Sequence, residues 1–162
     1  MTGGNPGIAP CLVVVGDPCS EFVRTMVRLA REYQVEAIPC DDVYSAVAAT
    51  ATTSGRRTLV VGPIRELARE GSRFFQIAEV NSLRCCCLLD GGTLAGSVGM
   101  LAAARAGAAV VDDAREVRPV FKEWLTIGGH RAVRRSLCDL ADEDLRATEA
   151  ELSALLGQGA DA

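Results

Sequence analysis

The stretch CLVVVGDP at residues 11–18 decides the fold. Its first five residues are a continuous apolar run, which is typical of a strand buried on both faces, as the strands of parallel sheets usually are. The Gly-Asp-Pro that follows ends the strand. An amphipathic helix is predicted next, because apolar residues recur there at a spacing of three to four: Phe22, Met26, Leu29, Ala30 and Tyr33.

The same alternation of strand and helix runs through the next hundred residues. Further strands are predicted at 36–40, 58–61, 84–89 and 108–111, each followed by an apolar helical pattern. The helix after the third strand has Gly71 as a candidate break, and the fourth helix is predicted from Leu94 to Arg105. Five strand-helix units in succession predict a parallel sheet with helices on both faces.

Length and charge limit the classes of protein. A chain of 162 residues, 49% of them hydrophobic, suits one globular domain with a sizeable core. The formal net charge of −4 argues against nucleic acid or an anionic membrane as a partner. No apolar stretch is long enough to cross a bilayer, and the N-terminus lacks the pattern of a signal peptide, so a cytoplasmic protein is predicted.

Four segments are predicted along the chain. Residues 1–10 form a flexible N-terminal arm, 11–129 the α/β domain, 130–157 a helical extension and 158–162 a disordered tail. Within the extension, leucines and a threonine fall at positions a and d of a short heptad: Leu145, Thr148, Leu152 and Leu155. This helix either pairs with a partner or a second copy, or packs on its own domain.

The seven cysteines are predicted to pack as small apolar side chains. Five of them fall in predicted strands, Cys19 in a loop or helix start and Cys138 in a late helix, without the Cys-x-x-Cys spacing of a zinc or redox site. The adjacent residues Cys85, Cys86 and Cys87 cannot converge on one ion, because neighbouring side chains on a strand point to opposite faces. We predict no metal site.

Residues from about 11 to 127 resemble the receiver domain of bacterial response regulators. VVVGDP at residues 13–18 is similar to the first strand and acidic loop of that family. LAAARAGA at residues 101–108 is similar to its alanine-rich fourth helix and the entry to its last strand. The resemblance implies a flavodoxin-like sheet with strand order 2-1-3-4-5. A C-terminal helix beyond that domain completes the predicted fold.

At the positions of receiver chemistry this sequence departs from the family. The phosphate-accepting aspartate at the end of the third strand corresponds to Gly62, which has no side chain to attack a phosphoryl donor. The acidic pair that holds Mg²⁺ corresponds to Val15 and Gly16, which leaves Asp17 nearby. The resemblance therefore implies a domain that takes no phosphoryl group by the usual route.

The remaining receiver positions are also altered. The switch serine or threonine after the fourth strand would fall near Asp90, with Thr93 a few residues further on. The lysine after the fifth strand would fall at about Asp113, and the sole lysine of the sequence, Lys122, lies in a predicted helix. The chain thus resembles a degenerate receiver, or pseudo-receiver, with vestigial loop positions and no catalytic residue.

From this resemblance we expect a signalling or regulatory module that binds protein independently of phosphorylation and is not an enzyme. The expected contact surface is the exposed face of the last two strand-helix units together with the C-terminal helix that carries Leu145, Leu152 and Leu155. The partner is either another protein or a second copy of this chain.

A small-molecule or metal-binding domain is the alternative. Open parallel sheets bind ligands beyond the carboxyl ends of their strands, where this sequence places aspartates and glycines. The phosphate-binding patterns GxGxxG after the first strand and GxxxxGK[ST] are absent from the sequence, so no nucleotide or other cofactor is predicted.

Overall fold

A five-stranded parallel sheet in the order β2-β1-β3-β4-β5 forms the centre of the protein. The computed structural model describes residues 9–90 and 98–127. The chain divides into two units, Met1–Ala132 and Val133–Ala162, and the described residues all belong to the first. The strands are β1 Cys11–Val15, β2 Glu36–Cys40, β3 Thr58–Pro63, β4 Arg84–Leu88 and β5 Ala109–Val111.

Helices follow the strands, and side-chain caps begin the first two of them. Ser20 accepts the backbone N–H of Val23 and Asp42 accepts that of Ser45, which fixes the first turns of the helices after β1 and β2. The helices are α1 Glu21–Glu32, α2 Val43–Thr52, α3 Ile64–Leu67, α4 Arg73–Val80, α5 Val98–Arg105 and α6 Val117–Thr126, the last preceded by a 3₁₀ turn at Ala114–Glu116.

The sheet separates two apolar cores. On one face, alternate residues of β1, β3 and β4 pack under α2, α3, α4 and α5, with Phe74 and Phe75 among the buried side chains. On the other face, the intervening strand residues pack under α1 and α6, with Phe121 and Trp124. Burial on both faces explains why the central strands read as continuous apolar runs.

An arginine at the start of β3 holds the end of α6. The guanidinium of Arg57 donates to the carbonyl oxygen of Trp124 and, at 3.4 Å, to that of Leu125. Its central carbon lies 5.3 Å from the ring centroid of Trp124. The carbonyls at a helix C-terminus have no partner within the helix, so this side chain both satisfies them and fixes the helix on the sheet.

The predicted flavodoxin-like arrangement and strand order are confirmed. The predicted end of the third strand at Val61 is wrong, because β3 continues through Gly62 and Pro63 in register with β4. The predicted break at Gly71 is confirmed: this residue has a φ of +67° and separates α3 from α4. Strands four and five are each one residue shorter than predicted.

Some predictions concern residues outside the described ranges. These are most of the N-terminal arm, the start of the fourth helix at Leu94, the extension 130–157 with its heptad leucines, and the tail 158–162. Among the described residues, no helix combines the length and the apolar character that crossing a bilayer demands.

Candidate functional site

The carboxyl edge of the sheet gathers the loops in which a receiver-like domain would carry its chemistry. At the end of β1, the N–H of Gly16 donates to the carbonyl of Cys40, which joins this loop to the end of β2. Gly16 has a φ of +150°, a conformation that side-chain-bearing residues rarely adopt. The path of this loop therefore depends on glycine at position 16.

Asp17 is used in a local turn. Its Oδ1 accepts the N–H of Cys19 at 2.8 Å, and its carbonyl oxygen accepts the N–H of Ser20 at 2.9 Å. The guanidinium of Arg24 donates to the carbonyl of Cys19 and closes the same turn from the first helix. Asp17, the one acidic residue near the positions aligned with the acidic pair, thus stabilises the turn of this loop.

Two other aspartates of this edge serve as helix caps. Asp42 accepts the backbone N–H of Ser45 at 2.7 Å, and this hydrogen bond holds the pKa of its carboxyl below the ordinary value. Asp113, which the receiver resemblance aligns with a lysine, accepts the N–H of Arg115 at 2.9 Å and begins the 3₁₀ turn. Neither carboxylate contributes to a shared acidic cluster, since each is directed to its own helix.

Gly62, which the receiver resemblance aligns with a phosphate-accepting aspartate, has no room for a side chain. A β-carbon built on it would lie 2.9 Å from the Cβ of Val15 and 3.2 Å from the Val15 carbonyl oxygen. Real β-carbons essentially never come within 3.0 Å of another heavy atom in this way. Strand β1 approaches β3 so closely that a side chain at residue 62 would require the backbone to move.

An ion pair joins the ends of β3 and β4. The Nε of Arg65 lies 3.0 Å from Oδ2 of Asp90. Sequence reasoning missed Arg65. The available signal was an arginine just after one strand and an aspartate just after its neighbour, on loops that a parallel sheet places side by side. Thr93, the other predicted position in this loop, lies outside the described residues.

The described part of the chain holds no group of three or more histidine, cysteine, aspartate or glutamate side chains arranged to hold a metal ion. Cys11, Cys40 and the β4 triplet are buried, which confirms the prediction that they pack as apolar side chains. The same prediction is wrong for Cys19, which is exposed in the loop after β1, and Cys138 lies outside the described residues. Burial raises the pKa of Cys85 to about 12 and that of Cys86 to about 11. These thiols are neutral at physiological pH and are poor nucleophiles.

Large exposed apolar side chains lie on helices of one side of the sheet, the side covered by α2 to α5. Val80 is the most exposed at 83%, and Val98 follows at 69%. We call this surface the apolar face and define it by five residues: Tyr44 on α2, Ile77 and Val80 on α4, and Val98 and Leu101 on α5. Exposed apolar side chains that cluster mark contact surfaces more often than isolated ones do.

Grooves run along both sides of α4 in the apolar face. The groove between α2 and α4 has a volume of about 580 Å³, and its lining includes Tyr44, Ile77 and Val80 as well as the charged Glu70 and Arg73. The groove between α4 and α5 has a volume of about 350 Å³, and its lining includes Val98 and Leu101 as well as the charged Glu79 and Arg105. The apolar face therefore offers both projecting side chains and hollows.

On the opposite side of the sheet, a groove of about 630 Å³ lies between α1 and the start of α6. Its lining is rich in charge of both signs, with Arg28, Glu32, Arg115 and Arg118 among the lining residues. Arg118 pairs with Glu32 at 2.9 Å across it. These charges are partly compensated within the chain, and this groove is much more polar than those beside α4.

No protein-family model, curated protein or solved structure matches this chain. The flavodoxin-like arrangement is established by the strand order and the parallel register of the sheet. The receiver resemblance rests on residues 13–18 and 101–108.

Proposed function

We propose that this chain is a cytoplasmic signalling or regulatory module of the bacterial pseudo-receiver kind, which binds protein without being phosphorylated. The observation that carries the proposal is the close approach of Val15 to Gly62. A receiver needs an aspartate at that position, and here even a β-carbon meets the neighbouring strand. The fold would then serve as a scaffold for contacts rather than as a phosphoryl acceptor.

The carboxylates of the carboxyl edge support the same proposal. Asp17, Asp42 and Asp113 accept backbone N–H groups of their own loops, and Asp90 pairs with Arg65. A Mg²⁺ site needs several carboxylate oxygens directed at one point to offset the loss of the ion's water. The apolar face supports protein binding, because it offers surface that a protein partner can bury.

Incubation with acetyl phosphate and Mg²⁺, followed by intact-mass measurement, tests independence from phosphorylation. We expect the mass to stay unchanged, since the chain has no aspartate at the end of β3. A functional receiver domain treated in parallel verifies that the donor is active. A stable phosphoryl adduct on an aspartate of the carboxyl edge would overturn the proposal.

The ligand-binding alternative is tested with the Asp17→Asn/Asp90→Asn variant. Asparagine keeps an oxygen that can accept the Cys19 N–H, so the loop should fold while the carboxylate charges are lost. We expect Mg²⁺ to leave the melting temperature of both proteins unchanged. Saturable stabilisation of the native chain that the variant lacks would instead support a metal- or ligand-binding domain.

Protein binding is tested by crosslinking in the cells that express the chain. Partners captured by the native protein should be lost in Val80→Lys, which places a charge on the apolar face, and kept in Asp17→Asn/Asp90→Asn. Glu123→Gln on α6 is the control, because it makes the same change in net charge on the opposite side of the sheet. Equal capture by all four proteins would contradict a role for this face.

A further inference from the structure

We draw no further inference here: the strongest candidate, the apolar face on α2, α4 and α5 with its two grooves, carries no proposal because charged residues of both signs line those grooves and nothing in the structure shows what covers the face.

Discussion

A β-carbon on Gly62 would lie 2.9 Å from the Cβ of Val15, so β1 and β3 approach each other at a point where one of the two residues must lack a side chain. We expect Gly62→Ala to lower the free energy of unfolding by about 1–3 kcal/mol, the usual cost of forcing extra atoms into a packed core. Urea unfolding at neutral pH measures this loss.

A double-mutant cycle identifies the cause of that loss. In Gly62→Ala/Val15→Gly the Cβ that collides with the new β-carbon is absent, so the double variant should be more stable than the sum of the two single losses predicts. Additive losses would show that the strain at position 62 comes from other contacts.

Gly62→Asp extends the same prediction to chemistry. Adding the missing carboxylate should destabilise the chain at least as much as alanine does, because the larger side chain starts from the same crowded β-carbon. We expect no phosphoryl adduct with acetyl phosphate and Mg²⁺. A folded, phosphorylated Gly62→Asp protein would show that the receiver site is lost by a single substitution rather than by the packing of β1 on β3.

We expect Arg57 to contribute measurably to the packing of α6 on the sheet. Its guanidinium hydrogen-bonds two carbonyls at the end of that helix and lies over the ring of Trp124. Arg57→Ala should lower the free energy of unfolding by about 2 kcal/mol, from the lost charged hydrogen bonds and the lost cation–π contact. Arg57→Lys should cost less, since it keeps the charge but not the paired donors.

Trp124 provides the readout. It is the one tryptophan of the sequence, so its fluorescence reports the environment of α6 without interference from another indole. Unfolding followed by fluorescence and by far-ultraviolet circular dichroism should shift together in Arg57→Ala. Unchanged stability in both measurements would contradict the role assigned to Arg57.

Because the thiols of β4 are buried, we expect the free energy of unfolding to fall at alkaline pH. Burial raises the pKa of Cys85 to about 12 and of Cys86 to about 11, from an ordinary value of 9.0, and it raises that of Cys87 as well. The unfolded chain therefore releases these protons first as the pH rises. Stability is fully present below about pH 9 and falls above it until the folded thiols also ionise, by about 1.4 kcal/mol per pH unit for each thiol.

Urea unfolding between pH 8 and pH 11, under conditions that keep the thiols reduced, measures the slope of the free energy of unfolding against pH. Cys85→Ala/Cys87→Ala removes two of the groups and should reduce the slope above pH 9 by roughly 2 to 3 kcal/mol per pH unit, whatever its stability at neutral pH. Because tyrosines and arginines also titrate in alkali, the difference between the two proteins is the quantity to compare. Equal slopes would contradict the prediction.

The strands were predictable from sequence because a sheet buried on both faces produces continuous apolar runs, whereas their order came from the receiver resemblance. The end of β3 was not, since Gly62 and Pro63 normally terminate strands, and here the glycine instead permits a close approach between neighbouring strands. That approach depends on the position of β1, which the local sequence around residue 62 does not encode.

The candidate site was predictable in outline and not in detail. The resemblance placed Asp17, Asp90 and Asp113 at strand ends, and the structure places them there. Their partners, the N–H of Cys19, the guanidinium of Arg65 and the N–H of Arg115, depend on the path of each loop. The apolar face was also missed, because exposure of Val80 or Leu101 is decided by which neighbours cover a helix in three dimensions.

The alternation of thiols along β4 supplies a way to measure motion in each helical layer separately. Cys85 and Cys87 face the core under α2 to α5, and Cys86 faces the core under α1 and α6. In variants that keep one of the three, peptide mass spectrometry separates this thiol from the other cysteines of the chain, and its rate of alkylation reports how often that layer opens from the sheet. If a partner covers α2, α4 and α5, its addition should slow modification at Cys87 and leave modification at Cys86 unchanged.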